Sequence, residues 1–417
     1  MGPSRRRGIL LLACIACACT GHDRHEDPPP TPIPPPPPPP RKPTPAREDP
    51  PPPGPAPTRC FAARTDLPLP LWPLNSAFAD INHDGLRDLL VNYSLDARVG
   101  VLLADGNGSF TTKSQGHALE HDAVGLTLGD FDGDEHLDLA ASDYQGPAVR
   151  IHRGRGDGTF DEAAHVLRIG KHNGAGVADD FTADGRTDLV IPQWSSLALL
   201  RGRGDFGFAA PTRMRTGQAP ELPLAADFNN DGRFDLATAS NDHHHVALFL
   251  ARGFTGKFDA ARETRCGAGG HAIVADDLDR DGELDLAVAN IHSHDVCVLR
   301  GDGRGNLTVG PVLPAGQHPH GLAAADVTGD GLIDLVVAAW GTDPKTPQST
   351  PLGEGAVIVH AGDGEGGFTT RTVVAVGRSP ADLWLADLDH DGHNEAITVN
   401  SNGHSVTILR GAPCPPA

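Results

Sequence analysis

The chain has 417 residues and a formal charge of -20. A protein this acidic has no attraction for the phosphates of a nucleic acid, and its charge suits a chain that neutralises itself with cations. Length alone would divide it into two or three domains, but an internal repeat makes one large domain of residues 59–414.

In chain order, residues 1–18 read as an export signal. Arg5, Arg6 and Arg7 form a basic start, and Gly8 to Ala18 form an apolar stretch too short to span a bilayer. Ala16-Cys17-Ala18 supplies small residues for cleavage, leaving Cys19 at the head of the mature chain. This arrangement resembles a bacterial lipoprotein signal, although an aliphatic residue three places before the cysteine occurs only in Leu11-Leu-Ala-Cys14. The expectation is a lipid on Cys19, Cys17 or Cys14, in that order, and a cell-surface or outer-membrane location, with ordinary secretion as the alternative. Residues 19–58 form a linker that is mostly proline from 28 to 57. Such a run adopts polyproline II, and at about 3.1 Å per residue it reaches roughly 90 Å as a semi-rigid stalk. A docking site for proline-binding modules would suit an intracellular protein better.

Beyond the stalk, an acidic nine-residue loop recurs seven times. Its copies carry Asp80, Asn82, Asp84 and Asp88; Asp130, Asp132, Asp134 and Asp138; Asp180, Thr182, Asp184 and Asp188; and Asp227, Asn229, Asp231 and Asp235. The remaining three carry Asp277, Asp279, Asp281 and Asp285; Asp326, Thr328, Asp330 and Asp334; and Asp387, Asp389, Asp391 and Glu395. Oxygen side chains at positions 1, 3, 5 and 9, with glycine at position 6 for a sharp turn, suit a hard cation, and calcium is expected at up to seven sites. In this design the acid at position 9 reaches back from the outgoing strand, and the position-7 carbonyl adds a ligand. An EF-hand would close with a bidentate Glu at position 12 and lie between helices. Here short β-type segments such as Leu284-Asp-Leu-Ala-Val-Ala-Asn290 follow the loops, so each loop joins two strands.

The period of about fifty residues carries four short strands, which is the signature of a propeller blade. Third strands include Val246–Leu250, Val296–Arg300 and Val406–Arg410, and glycine turns such as Gly301-Asp-Gly-Arg-Gly-Asn-Leu307 lead into the fourth. Glycine turn plus aromatic, then Asp-x-Asp-x-Asp-Gly-x-x-Asp, resembles the FG-GAP or VCBS repeat, best known from the seven-bladed propeller of integrin α-chain heads. The resemblance covers about residues 60–412 and implies an all-β, seven-bladed propeller with calcium in the hairpin loops between first and second strands. It also implies binding or adhesion in general terms. Glu135 replaces the loop glycine, Thr182 and Thr328 replace an acid or amide, and Glu395 replaces the last Asp, so weaker binding is expected at those four loops.

Propeller closure is also legible. The seventh unit stops at Cys414 where a fourth strand is due, and Arg59-Cys60-Phe61 resembles the entry to that missing strand. Cys60 and Cys414 are then expected to bridge the closure as a disulfide. Cys266 and Cys297 form a second possible pair, with a buried thiol at Cys297 as the alternative.

Opposite the acidic loops, the links and connectors are rich in His and aromatic residues. They include Tyr93, Tyr144, Trp194, His243–His245, His292, His294, Trp340 and His404, together with His172, Glu221, His271, His318, His320 and Asp382. Glu221, His271 and His320 each stand six residues before an acidic loop, and equal register on a closed ring aims them at a common axis. The expected function is binding of a glycan or protein through this face by a monomer, with Trp194, His271, His292, His320 and Trp340 as its candidate residues. The alternative is a metal-dependent lyase or dehydratase using the His cluster. Nucleophile-elbow, P-loop and His-Glu-x-x-His motifs do not occur in the sequence. An insertion at 341–355 projects from the same face.

Overall fold

A computed structural model describes residues 59–413 except 71, 94–95, 120–122 and 342–352. The export signal, the linker, most of the 341–355 insertion, Cys414 and the side chain of Cys60 lie outside the described residues. Among these residues the chain is all-β and forms seven four-stranded antiparallel sheets, plus a short hairpin inside the third.

Each sheet is a blade. In the fifth, the strands Gly270–Asp276, Asp285–Asn290, Asp295–Gly301 and Leu307–Pro314 pair in sequence order. First strands touch those of the neighbouring blades in an unbroken cycle of seven, so they line a central axis. The seventh blade is composite: Arg59–Pro68 pairs antiparallel with Ser405–Pro413, with Leu67 opposite Val406. The N-terminal strand thus closes the ring, as the truncated seventh repeat requires.

Apolar side chains gather in seven clusters, each shared by two adjacent blades. A blade therefore buries both of its faces. This explains the second strands, which are buried at every position in five blades, from Asp88–Tyr93 to Glu395–Asn400, and in the second and sixth at all but their last one or two residues, instead of alternating. Tyr93 belongs to this interior and not to the exposed face on which the sequence put it, since its ring packs against Gly100. Cys266 and Cys297 are joined as a disulfide, with Cα atoms 5.7 Å apart, beneath the fourth and fifth blades.

The antiparallel hairpins put acidic loops and glycine turns at one end of the ring. The links between second and third strands, and the connectors into first strands, lie at the other.

Candidate functional site

The acidic loops repeat one hydrogen-bond plan. The amide at position 6 donates to the position-1 aspartate in all seven, from Gly85 to Asp80 at 2.9 Å through Gly392 to Asp387 at 3.0 Å. Positions 4 and 6 both have positive φ throughout; in the second loop Gly133 takes position 4 and Glu135 holds position 6 at φ 70°. Replacing the loop glycine has therefore left the backbone path intact.

The acid at position 9 has a second role that the sequence did not show. Asp235 is fully buried, and its two oxygens accept the amides of Phe228 at 3.1 Å and Ala251 at 2.7 Å. Asp88, Asp138, Asp285 and Asp334 do the same, tying the loop to the end of the third strand. Glu395 takes the equivalent amide of Leu388 at 2.7 Å, its extra methylene accommodated. Burial pushes Asp138, Asp285 and Glu395 up to about 7, with repulsion from the other loop carboxylates adding to it and the backbone amides opposing it.

Three of these loops bring their acids close enough to hold a metal ion. In Asp130, Asp132 and Asp138, in Asp277, Asp279 and Asp285, and in Asp387, Asp389 and Glu395, one oxygen from each residue lies within 4.8 Å of the others. Buried oxygens without a protein partner occur at Asp80 Oδ1, Asp277 Oδ1, Asp389 Oδ1, Asp188 Oδ2 and Thr328 Oγ1, all at ligand positions. Two of the three converged groups belong to the loops with Glu135 and Glu395. Those departures do not scatter the oxygens, because position 6 contributes backbone only and Glu395 still reaches the loop.

At the opposite end, a cavity of about 310 Å³ opens on the axis. Its wall includes the residue six places before each acidic loop, one per blade: Leu74, Val124, Gly174, Glu221, His271, His320 and Ala381. Glu221, His271 and His320 thus meet as their register implied, and the structure supplies the cause. The first-strand pairing slips at Val124, after Glu221, at His271, at His320 and at Ala381. These bulges, repeated around the ring, turn the residues toward the axis. A bulge leaves a carbonyl outside the ladder, and side chains cap it: His271 Nδ1 donates to His320 O at 3.1 Å, and Thr238 Oγ1 to Glu221 O at 2.8 Å.

Aromatic pairs frame the opening. Trp340 stacks on His320 at 4.8 Å and 3°, with His318 at 5.2 Å. Trp194 lies 5.4 Å from His172, which also meets Tyr144 at 5.0 Å. Trp72, which the sequence reading missed, lies 5.3 Å from His404, and neither is part of the cavity wall. These three tryptophans remain 43%, 45% and 42% exposed for Trp72, Trp194 and Trp340, although aromatic rings ordinarily go inside. His292 is exposed in its own link beside Gly269 and is not part of the cavity wall, and His243–His245 form a separate rim pocket with Glu263. Asp382 is in the wall, its Oδ2 accepting Ser76 N at 2.5 Å and Ser76 Oγ at 2.8 Å. Burial raises both Glu221 and Asp382 above the usual carboxylate range, and His271 opposes the shift in each.

Fold and loops together define a seven-bladed β-propeller with an acidic loop in every blade. Residues 80–141, 180–238, 227–288 and 277–337 match the FG-GAP-like repeat, more than half of the chain, and the chain belongs to that family. No curated protein matches it. Among solved structures it is similar to a lectin of Agrocybe aegerita that recognises non-reducing terminal N-acetylglucosamine, with TM-score 0.52, 18% identity and coverage of 82% of this chain and 85% of the lectin. BBS1N in complex with ARL6DN gives TM-score 0.57 and 14% identity over 86% and 98%. A functionally unknown protein from Desulfotomaculum acetoxidans gives 0.50 and 11% over 79% and 99%. At such identities the likeness is one of fold.

Proposed function

We propose that this chain is a calcium-stabilised recognition protein, exported and held at a cell surface by residues 1–58, that binds a glycan at the axial mouth opposite the calcium loops. The observation that carries this reading is the pair of exposed tryptophans Trp194 and Trp340, each braced by an imidazole, on the wall of a cavity that also carries polar groups. Sugars present apolar C–H faces that stack on indole, while their hydroxyls need convergent acceptors and donors. The Agrocybe aegerita lectin shows that another protein of this architecture recognises sugar. Binding is favoured over metal-dependent catalysis because, among the described residues, the His, Cys, Asp and Glu groups that converge closely enough to hold a metal ion are in the acidic loops at the other end.

The test is a glycan array and a protein pull-down in calcium, repeated with Trp194→Ala and Trp340→Ala. Retention of a glycan class that falls about tenfold or more in either variant supports the reading. Retention of a protein and no glycan, or glycan binding indifferent to both variants, would overturn it.

A further inference from the structure

The wall of the mouth carries two carboxyls, Glu221 and Asp382, from blades on different sides of the ring, and neither lysine nor arginine contributes to it. The Glu221 carboxylate accepts no hydrogen bond from any described side chain or amide, and the residue stands where the strand bulges, next to Leu222 at φ 31°. Asp382 is held in place through Oδ2 by Ser76, itself bonded to Trp384 Nε1 at 2.9 Å, and this leaves Oδ1 for a ligand. His271 lies within electrostatic reach of both acids. Its Nδ1 must carry a proton to bond the carbonyl of His320, so in the neutral ring Nε2 is an acceptor. Three acceptors without a protein donor therefore belong to one cavity wall.

We propose that Glu221, Asp382 and His271 form a subsite for the protonated amine of an amino sugar; this rests on the glycan reading above. An ammonium group has three N–H donors to match three acceptors. The indoles of Trp194 and Trp340 and the phenol ring of Tyr144 on the same wall attract an organic cation through their faces. A metal ion is a poorer fit. It needs oxygens at about 2.3–2.6 Å from one point, and among the described residues the acidic groups that converge closely enough are in the loops at the other end. Burial that raises both carboxyls indicates uncompensated charge, which a bound cation relieves. The same charges repel uronic and sialic acids, and a chain of formal charge -20 draws cationic glycans toward it.

The experiment is calorimetric titration of the full chain in calcium with glucosamine oligomers and with N-acetylglucosamine oligomers of equal length. The free-amine oligomer is expected to bind about tenfold or more tightly, a difference of about 1.4 kcal/mol. Glu221→Gln and Asp382→Asn should bring it down to the level of the acetylated one, with melting unchanged. Trp194→Ala should weaken both oligomers. Equal binding of the two oligomers by the unaltered protein, a comparison that depends on no variant folding, would overturn the amine subsite and leave the glycan reading standing. So would stoichiometric zinc that is lost in Glu221→Gln. If neither oligomer binds and the array is also silent, both readings fall together.

Discussion

His271 in the fifth blade donates its Nδ1 proton to the backbone carbonyl of His320 in the sixth, at 3.1 Å, and the His320 ring is stacked beneath Trp340. A single contact thus joins two blades, fixes one tautomer and orders half of the aromatic frame. Burial, with smaller contributions from His271 and His318, lowers His320 to about 3.

Because the folded protein then binds fewer protons than the unfolded chain, stability is lost as pH falls from about 6.5 toward 3, by up to about 1.4 kcal/mol per pH unit. Between pH 7 and 5 this one residue should remove about 2 kcal/mol. Urea unfolding of wild type and His320→Gln at both pH values isolates its share, since every other titrating group is common to the two proteins. Equal losses in both would refute the assignment.

Removing calcium should lower the melting temperature. A site held at a hundred times its Kd contributes about 2.7 kcal/mol by linkage, and repulsion among the loop acids returns when the ion leaves. Calorimetry with and without chelator, alongside elemental analysis, checks this; an unchanged midpoint with no calcium in the protein would remove the metal assignment.

The position-9 acid should matter even in chelator. Asp235→Ala strands two buried amides, each costing about 1–3 kcal/mol. Asp231, at position 5 of the same loop, accepts the Arg233 amide and pairs with its guanidinium at the surface, so Asp231→Ala should cost about 1 kcal/mol or less. Similar losses in both variants would mean that the acid at position 9 is only a ligand.

Glu135 at φ 70° is strained by about 1–2 kcal/mol relative to glycine. Glycine loses about 0.5–1 kcal/mol more entropy on folding. Glu135→Gly should therefore raise stability by up to about 1.5 kcal/mol, read as a higher urea midpoint. A lower midpoint would show that the Glu135 side chain makes an interaction that compensates the strain.

The sequence by itself determined the propeller, the number of blades and the composite seventh blade. Those follow from short-range rules, since an acidic loop between two strands needs the same residues at the same spacing each time, and a truncated last repeat must borrow its fourth strand. It also placed Glu221, His271 and His320 at one register, because a period repeated on a closed ring is a statement about direction. What the tertiary structure decided is whatever depends on partners far away in the chain. Asp382 is held by Ser76 across the closure, Trp72 reaches His404 across the same seam, and Tyr93 is taken into the interior between blades. The bulges that aim the mouth residues inward arise where pairing slips between two strands, and the double role of the position-9 acid depends on an amide one hairpin further on. No local pattern encodes those meetings, because they exist only once the ring has closed.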